Sequence, residues 1–522
     1  MAKAFDPIAL ELFRHRFASL CEEMGALLGR SAFSPNIKER RDYSCAIFDA
    51  SGAMAAQAAH IPVHLGSMPL SVKAALKAFR LRPGDVVLLN DPYRGGTHLP
   101  DITVVTPVFE QGRSRPLFYA ANRAHHSDVG GKSPGSMPLA TRLEEEGVVI
   151  PPTLLLEKGR WNRSFLRHFL GQVRRPEERR ADLEAQISAN RLGAERLAQM
   201  GELYGRARLQ AMMRELRRYE AELTGRALSF LPRGKFCFED WLDDDGIGQV
   251  PIRLAVEITV GPRGVKVDFS GSAPQAAGPV NATFAITLSA VAYVFRCLVR
   301  ALTGEDLLSL DPIEVFAPKG SVLNARYPAP VAGGNVETSQ RLVDVLFGAL
   351  SAALPGTMPA ASQGTMNNVA FGSESFAYYE TLAGGIGAGP RRPGLSATHS
   401  HMTNTLNTPI EALENELPVR IGAYRIRRGS GGKGRRRGGD GLVRDYVFLE
   451  DVEVSVLSDR RHRQPYGLQN GKPGGTGANW VIAAKGKGPE LKLKLPSKFE
   501  RRFRAGETLR IETPGGGGFG KK

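Results

Sequence analysis

The stretch Asn90-Asp91-Pro92-Tyr93-Arg94-Gly95-Gly96-Thr97-His98-Leu99-Pro100-Asp101 sets imidazole and carboxylate groups in a segment whose glycines and prolines oppose regular structure. It reads as a rigid loop at the end of a buried strand, Asp85-Val86-Val87-Leu88-Leu89. Strands over 102–108 and 117–121 follow, and then a second polar cluster, Arg123-Ala124-His125-His126-Ser127-Asp128. Imidazole and carboxylate together are the donors that hold a borderline or hard divalent cation. His98 and Asp101 are three apart, but Pro100 keeps them out of a helix, so they converge only if the loop curls. If the second strand continues past Ala124, alternation sends His125 and His126 to opposite faces, so only one of the pair is expected to bind a metal directly, and periodicity is silent about which. A proton-shuttling dyad without metal is the competing reading.

Outward from this region, Asp6-Pro7 is a helix start. Leu10, Leu12, Phe13, Phe17, Leu20, Met24 and Leu27 then form an apolar stripe that ends near Ser34-Pro35. Asp42 follows Arg40 and Arg41, so it is either a metal ligand or half of a salt bridge. His60 and His64 flank Pro62, which takes them off a common helix face; they are expected to be structural or substrate-facing. Residues 68–79 suit a short helix, and 162–230 a helical hairpin. A β-hairpin turns at Gly261-Pro262-Arg263-Gly264, and apolar helices are expected over 287–302 and through Leu350. The polar start of the second, Asn335 to Arg341, either holds a substrate anion or only caps the helix. Thr398-His399-Ser400-His401-Met402-Thr403-Asn404 offers an H-x-H pair that either faces a metal or orders its own loop.

A chain of 522 residues exceeds one core. The expected architecture is α+β and multi-domain. It comprises a mixed-sheet, metal-binding N-terminal region (1–155), a helical hairpin (156–232), a central α/β substrate region (233–420) and a β-rich C-terminal region with a Gly/Arg loop (421–522). Hydrophobic content of 42% with 23% charged residues is that of a globular protein. Cys21, Cys45, Cys237 and Cys297 form no C-x-x-C pair, which excludes a disulfide framework and a structural zinc finger. No signal-type segment follows Met1 and no uninterrupted apolar run nears the roughly 18 residues of a membrane span, so a soluble, cytoplasmic protein without membrane contact is expected.

The net charge of +16 invites a polyanionic partner. The run Arg425 to Gly439 looks like an RNA-binding arm in isolation, but its flanking strands make it a loop of a folded β region, and nucleic acid is not the expected partner. Gly131-Lys132-Ser133 lacks the first glycine of a phosphate loop, since His126 stands there. In Gly131-Lys132-Ser133-Pro134-Gly135 the proline has no N–H for an oxyanion hole, which argues against a serine hydrolase. The G-x-G-x-x-G matches at 429–434 and 515–520 open no helix. Any ATP is therefore expected on another chain.

Several stretches carry a resemblance: SPNIKERRDYS (34–44), AAHIPVHLGSMPLS (58–71), DPYRGGTHLPDITVVTP (91–107), RAHHSDVGG (123–131), and the segments 268–283, 399–409 and 513–520. The chain resembles the hydantoinase B / oxoprolinase family over almost its whole length. That family includes the B-type chain of ATP-dependent N-methylhydantoinase-type enzymes and a related subunit of acetone and acetophenone carboxylases. The resemblance implies a hetero-oligomer with a hydantoinase A-type, ATP-binding subunit, which activates a small cyclic amide by phosphorylation. This chain would then hydrolyse it with a metal-bound hydroxide. It also implies a divalent metal (Zn, Mn or Fe) held by Asp42, His98, Asp101 and His125. His126, Asp91 and Asp128 are alternates or outer partners, and His98, Asp101, His125 and His126 are the catalytic set. His399, His401 and Asn404 are possible substrate contacts. The alternative implied is a subunit of an ATP-dependent acetone/acetophenone-type carboxylase.

Overall fold

The computed structural model describes residues 6–521 except 59, 111, 113, 263, 307–308 and 484–491. Ala59 and Arg263, which fall in two of the stretches above, lie outside the described residues. Helix α1 (Pro7–Ser31) starts as its sequence dictates, with the Asp6 carboxylate accepting the Ile8 N–H at 3.0 Å and Pro7 in the first turn. Of its stripe, Phe13, Phe17, Leu20 and Met24 are buried and are joined by Leu28, Leu10 and Leu27 are half-buried, and Leu12 is exposed. The short helix α2 (Pro35–Lys38) then leads to strand β1 (Tyr43–Asp49).

With β1, the strands β2 (Met54–Ala58), β3 (Val86–Leu89), β4 (Asp101–Val108), β5 (Phe118–His125), β6 (Thr153–Glu157) and β7 (Arg160–Trp161) make one sheet, in the order β2-β1-β5-β4-β3-β6-β7. Every pairing in this sheet is antiparallel; parallel pairing occurs in the central region instead. Alternate side chains of β1 explain the sandwich. Cys45 and Ile47 join α1 and the helices α5 (Pro176–Tyr204) and α6 (Arg206–Leu228) in one core. Ala46 and Phe48 join the helix α3 (Met68–Ala78) in another. A short helix, α4 (Arg163–Leu170), precedes α5, and α5 and α6 form a hairpin that turns at Gly205.

The central sheet runs β11-β10-β9-β8, from β8 (Gly234–Leu242), β9 (Ile252–Gly261), β10 (Gly264–Asp268) and β11 (Ile313–Phe316), with β10 and β11 parallel. Against it lie α7 (Phe284–Thr303) and α8 (Ser339–Ala353). By length and composition α7 would cross a membrane, but Ile286, Ala290, Val294 and Leu298 are buried in the central core. A five-residue π-helical turn (Gly334–Thr338) leads into α8.

Beyond it, β12 (Asn368–Gly372), β13 (Ala377–Thr381), α9 (Ile410–Glu416), β14 (Val419–Arg427), β15 (Gly441–Phe448), β16 (Val452–Leu457), β17 (Ala478–Ile482), β18 (Lys492–Leu495), β19 (Lys498–Phe503) and β20 (Thr508–Glu512) build two further sheets. Their orders are β13-β12-β16-β19 and β14-β15-β20-β17-β18, and they share one apolar core.

The Gly/Arg segment is folded into this last region. Gly432 N–H donates to Gly516 O at 2.8 Å, and Gly516 N–H to Gly439 O at 2.9 Å. The glycine backbone is buried while Arg435 and Arg437 reach solvent. The C-terminal run Gly515 to Gly518 is thus a tightly packed backbone and not a loose tail. A Cβ on Gly516 would run into the carbonyl group of Ile386. Gly516→Ala is therefore expected to destabilise by about 1–3 kcal/mol through overpacking. Gly389→Ala, where a Cβ meets nothing within 4 Å, is expected to stay within about 0.5 kcal/mol. Paired urea-unfolding midpoints check both.

Candidate metal centre

Strand β3 delivers the loop 90–100, and Asn90 rigidifies it. Its side-chain N–H groups donate to Leu99 O at 2.8 Å and Val148 O at 2.9 Å, and its Oδ1 accepts the Ile150 N–H at 2.6 Å. Asp101, which opens β4, sits directly opposite His125, which ends β5. Cross-strand partners share a face of the sheet, so register alone brings these two side chains together. The loop curls so that His98 Nε2 comes to 3.4 Å from Asp101 Oδ1. One donor atom each from His98, Asp101 and His125 lies within 4.8 Å of the others. All three residues are buried, at 0%, 1% and 3% exposure, so the cluster is nearly sealed from water.

His64 joins them from a turn of 3-10 helix (Pro62–His64), with Nε2 3.5 Å from Asp101 Oδ2 and Nδ1 2.9 Å from Ser44 Oγ. The Nε2 atoms of His64, His98 and His125 are buried without a hydrogen-bond partner among the described residues. Leaving such atoms unpaired is costly, and a cation among them removes that cost. Two imidazoles and a carboxylate fit zinc, iron(II) or manganese(II). The outer side of His125 is held as well. The Asn36 side-chain amide is 2.9 Å from Nδ1, and the Tyr379 ring stacks on the imidazole at 4.7 Å and 8°. The amide orientation that places its oxygen on Nδ1–H leaves the Nε2 lone pair free for a cation; the opposite orientation puts the proton on Nε2.

Electrostatics favour neutral imidazoles. Burial pushes His125 well below the ordinary imidazole range, and His64 downward too. Burial works to raise Asp101, but His98 and His64 beside it hold the carboxyl well below the usual range. Burial raises Asp42 to about 7, against the pull of Arg40. Asp42, His64, Asp101 and His125 line one small cavity of about 20 Å³, with Asn335 and Tyr379 also on its wall. That is room for about one water. Asp42 thus shares the cavity without belonging to the three-donor group, its Oδ2 3.9 Å from the Arg40 guanidinium.

The other singled-out residues sit elsewhere. His126 faces α5, where its Nε2 lies 3.0 Å from Gln186 Oε1, and burial lowers it to about 4. Asp128 accepts the N–H groups of Gly130, Gly135 and Arg174 and pairs with the Arg174 guanidinium, which makes it a loop clamp. Asp91 caps the turn Pro92–Arg94 through the Tyr93 N–H at 2.9 Å. His401 Nε2 is 3.0 Å from Asp344, and Asn404 is exposed. Burial lowers His399 to about 4. None of these last three lines the cavity, whereas Met402, Thr403 and Thr405 from the same loop do. Sequence reasoning held His64 to be structural or substrate-facing and did not single out Asn36 or Tyr379. Proline beside His64 hid a 3-10 turn, and nothing in the spacing links position 379 to position 125.

Comparison with known proteins agrees with the fold. The model of the Hydantoinase B/oxoprolinase family matches residues 6–522. The 5-oxoprolinase of Dictyostelium discoideum is 40% identical over 99% of this chain, which spans 40% of that protein's length. A putative D-/L-hydantoinase chain of the B type, from Pseudomonas sp. (strain NS671), is 29% identical, with 99% of this chain and 90% of that one covered. Among solved structures, the ATP-dependent caprolactamase from Pseudomonas jessenii superposes with a TM-score of 0.88 at 24% identity, covering 99% of this chain and 92% of that one. A nucleotide-free acetone carboxylase gives a TM-score of 0.89 at 18% identity, covering 99% and 76%. At those identities the two structures establish the fold alone. The match of the family model along the chain, together with that fold, places this protein in the hydantoinase B/oxoprolinase family.

Proposed function

We propose that this chain is the hydrolytic subunit of an ATP-dependent cyclic-amide hydrolase, acting in a cytoplasmic hetero-oligomer with an ATP-binding, hydantoinase A-type subunit. The observation that carries the reading is the buried His98, Asp101 and His125 cluster, with its unpartnered imidazole nitrogens, in a chain of this family. The name of the Pseudomonas relative makes it one subunit of a hydantoinase, which supports a partner chain. An amide is a poor electrophile because resonance stabilises it. Phosphorylation of its oxygen on the partner creates a leaving group, and water must then add to the activated carbon.

Asp42, His98, Asp101 and His125 are the proposed ligands of one divalent cation, with His64 beside them. Such a cation lowers the pKa of a bound water to about 7. The residues of this chain supply the rest. Asp101, ionised, sets the negative charge; Asn36 and Ser44 orient His125 and His64; the stacked Tyr379 ring and the burial of the cluster keep bulk water out. A related reading, a carboxylase subunit acting on a phosphorylated enol, draws on the acetone carboxylase fold.

With its partner subunit, the protein is expected to open hydantoin, 5-oxoproline or a simple lactam only with ATP. His98→Ala or Asp101→Asn should lower kcat/KM by at least about 100-fold, a loss typical of disturbed metal sites. Undiminished activity in both variants refutes the site, and ATP turnover that needs a ketone and bicarbonate moves the protein to the carboxylase class. Metal analysis with competitive chelator titration separates the two histidines. His125→Ala is expected to leave the purified complex metal-poor, His126→Ala to retain metal, and Asn36→Ala to weaken affinity by about 10- to 100-fold.

A further inference from the structure

The wall of the cavity includes Asn335 and Val336 of the π-helical turn Gly334–Thr338. A π-turn inserts one residue into a helix and is concentrated at functional sites. This one is fixed from outside: Thr338 Oγ1 donates to Val280 O, and Ser339 Oγ donates to Asn335 O at 2.6 Å. Glu337 Oε1 accepts the Met366 N–H at 3.0 Å and the Asn368 side-chain N–H at 2.7 Å. Gln340 Nε2 donates to Ser400 O at 2.8 Å.

Each polar side chain from 337 to 340 thus makes at least one hydrogen bond, although Glu337 Oε2 and Gln340 Oε1 are left over, whereas Asn335 has no side-chain hydrogen bond among the described residues. It is 3% exposed, lines the cavity with Asp42, His64, Asp101 and His125, and its Oδ1 is buried with no hydrogen-bond partner among the described residues. Hydroxyl groups that line the cavity are engaged. Tyr379 OH donates to Asn368 Oδ1 at 2.8 Å, and Thr381 and Thr405 are tied to each other and to Arg40. Capping does not explain Asn335 either, since its side chain makes no bond to the turn. A buried, unsatisfied amide on a locked backbone, facing a reaction cavity, is an arrangement that a ligand completes.

We propose that Asn335 binds the ring nitrogen of the substrate and so selects cyclic amides whose nitrogen carries no substituent; this rests on the cyclic-amide reading above. A primary amide side chain suits both forms of such a ring. Its oxygen accepts the N–H of the unactivated amide, and its Nδ2–H donates to the nitrogen lone pair of the O-phosphorylated imidate that forms once that proton has left. An N-methylated ring offers neither the proton nor, once activated, the lone pair. The cavity holds about one water, so a ring enters only if the lining moves apart.

The test compares a lactam with its N-methyl analogue in the metal-loaded complex of both subunits. The wild type is expected to favour the lactam at least tenfold in kcat/KM. Asn335→Ala is expected to raise KM and to shrink that preference at least tenfold, with metal content unchanged. The partner's activation step is common to wild type and variant, so the change in preference reports on Asn335. Should Asn335→Ala not fold, the near-isosteric Asn335→Leu is read in the same way. An unchanged preference, or loss of the metal along with activity, overturns the proposal. If the wild type opens no cyclic amide, the functional reading fails by itself. Asn335 is then judged by calorimetric binding of the same two rings, where equal wild-type affinities overturn it and a preference erased in the variant supports it.

Discussion

The site depends on one cross-strand pair. Asp101 and His125 face each other at the ends of β4 and β5, and a slip of β5 by one residue would turn His125 to the opposite face of the sheet, away from Asp101. The register is held by the antiparallel ladder on both sides of β5 and by the buried Arg123, which donates to Thr103 Oγ1 at 2.8 Å and to Ser71 Oγ at 2.7 Å. From that fixed pair, the curled loop adds His98 and a 3-10 turn adds His64. What results is a carboxylate kept ionised among imidazoles in a place with little water, an arrangement that a cation stabilises.

A second constraint joins this sheet to the rest of the chain. Arg40, fully buried, donates to Tyr379 O at 3.0 Å and to Thr381 Oγ1 at 3.1 Å, and its guanidinium lies over the Tyr379 ring at 4.9 Å. The loop carrying Asn36 and Asp42 is thereby fastened to β13, and Tyr379 is placed flat on His125. An isolated buried charge costs several kcal/mol, so this guanidinium is stable only where its acceptors already stand. The centre and its lining therefore form together, and the cavity draws on residues from 42 to 405, across the N-terminal and central regions.

Much of this was legible along the chain. The Asp6-Pro7 start and apolar stripe of α1, the strand ahead of Asn90, the helical hairpin and the β-rich C-terminal region each rest on local rules of capping, periodicity and turn chemistry, and those rules operate within one element. The same alternation rule separated His125 from His126 without deciding between them. His64, Asn36, Tyr379 and Asn335 were not legible as a group, because their meeting depends on how separate elements stack.

By itself, then, the sequence determined the α+β class, the kinship, and the loop 90–101 and the segment 123–128 as the places where imidazole and carboxylate gather. Only the tertiary structure decided that His125 turns toward Asp101 while His126 turns to Gln186, that His64 joins the cluster, and that the glycine run at 515–518 is buried backbone. The physical reason is that side-chain type and spacing are local quantities. Strand register, the face a residue presents and the close approach of two backbones are set by packing between segments hundreds of residues apart.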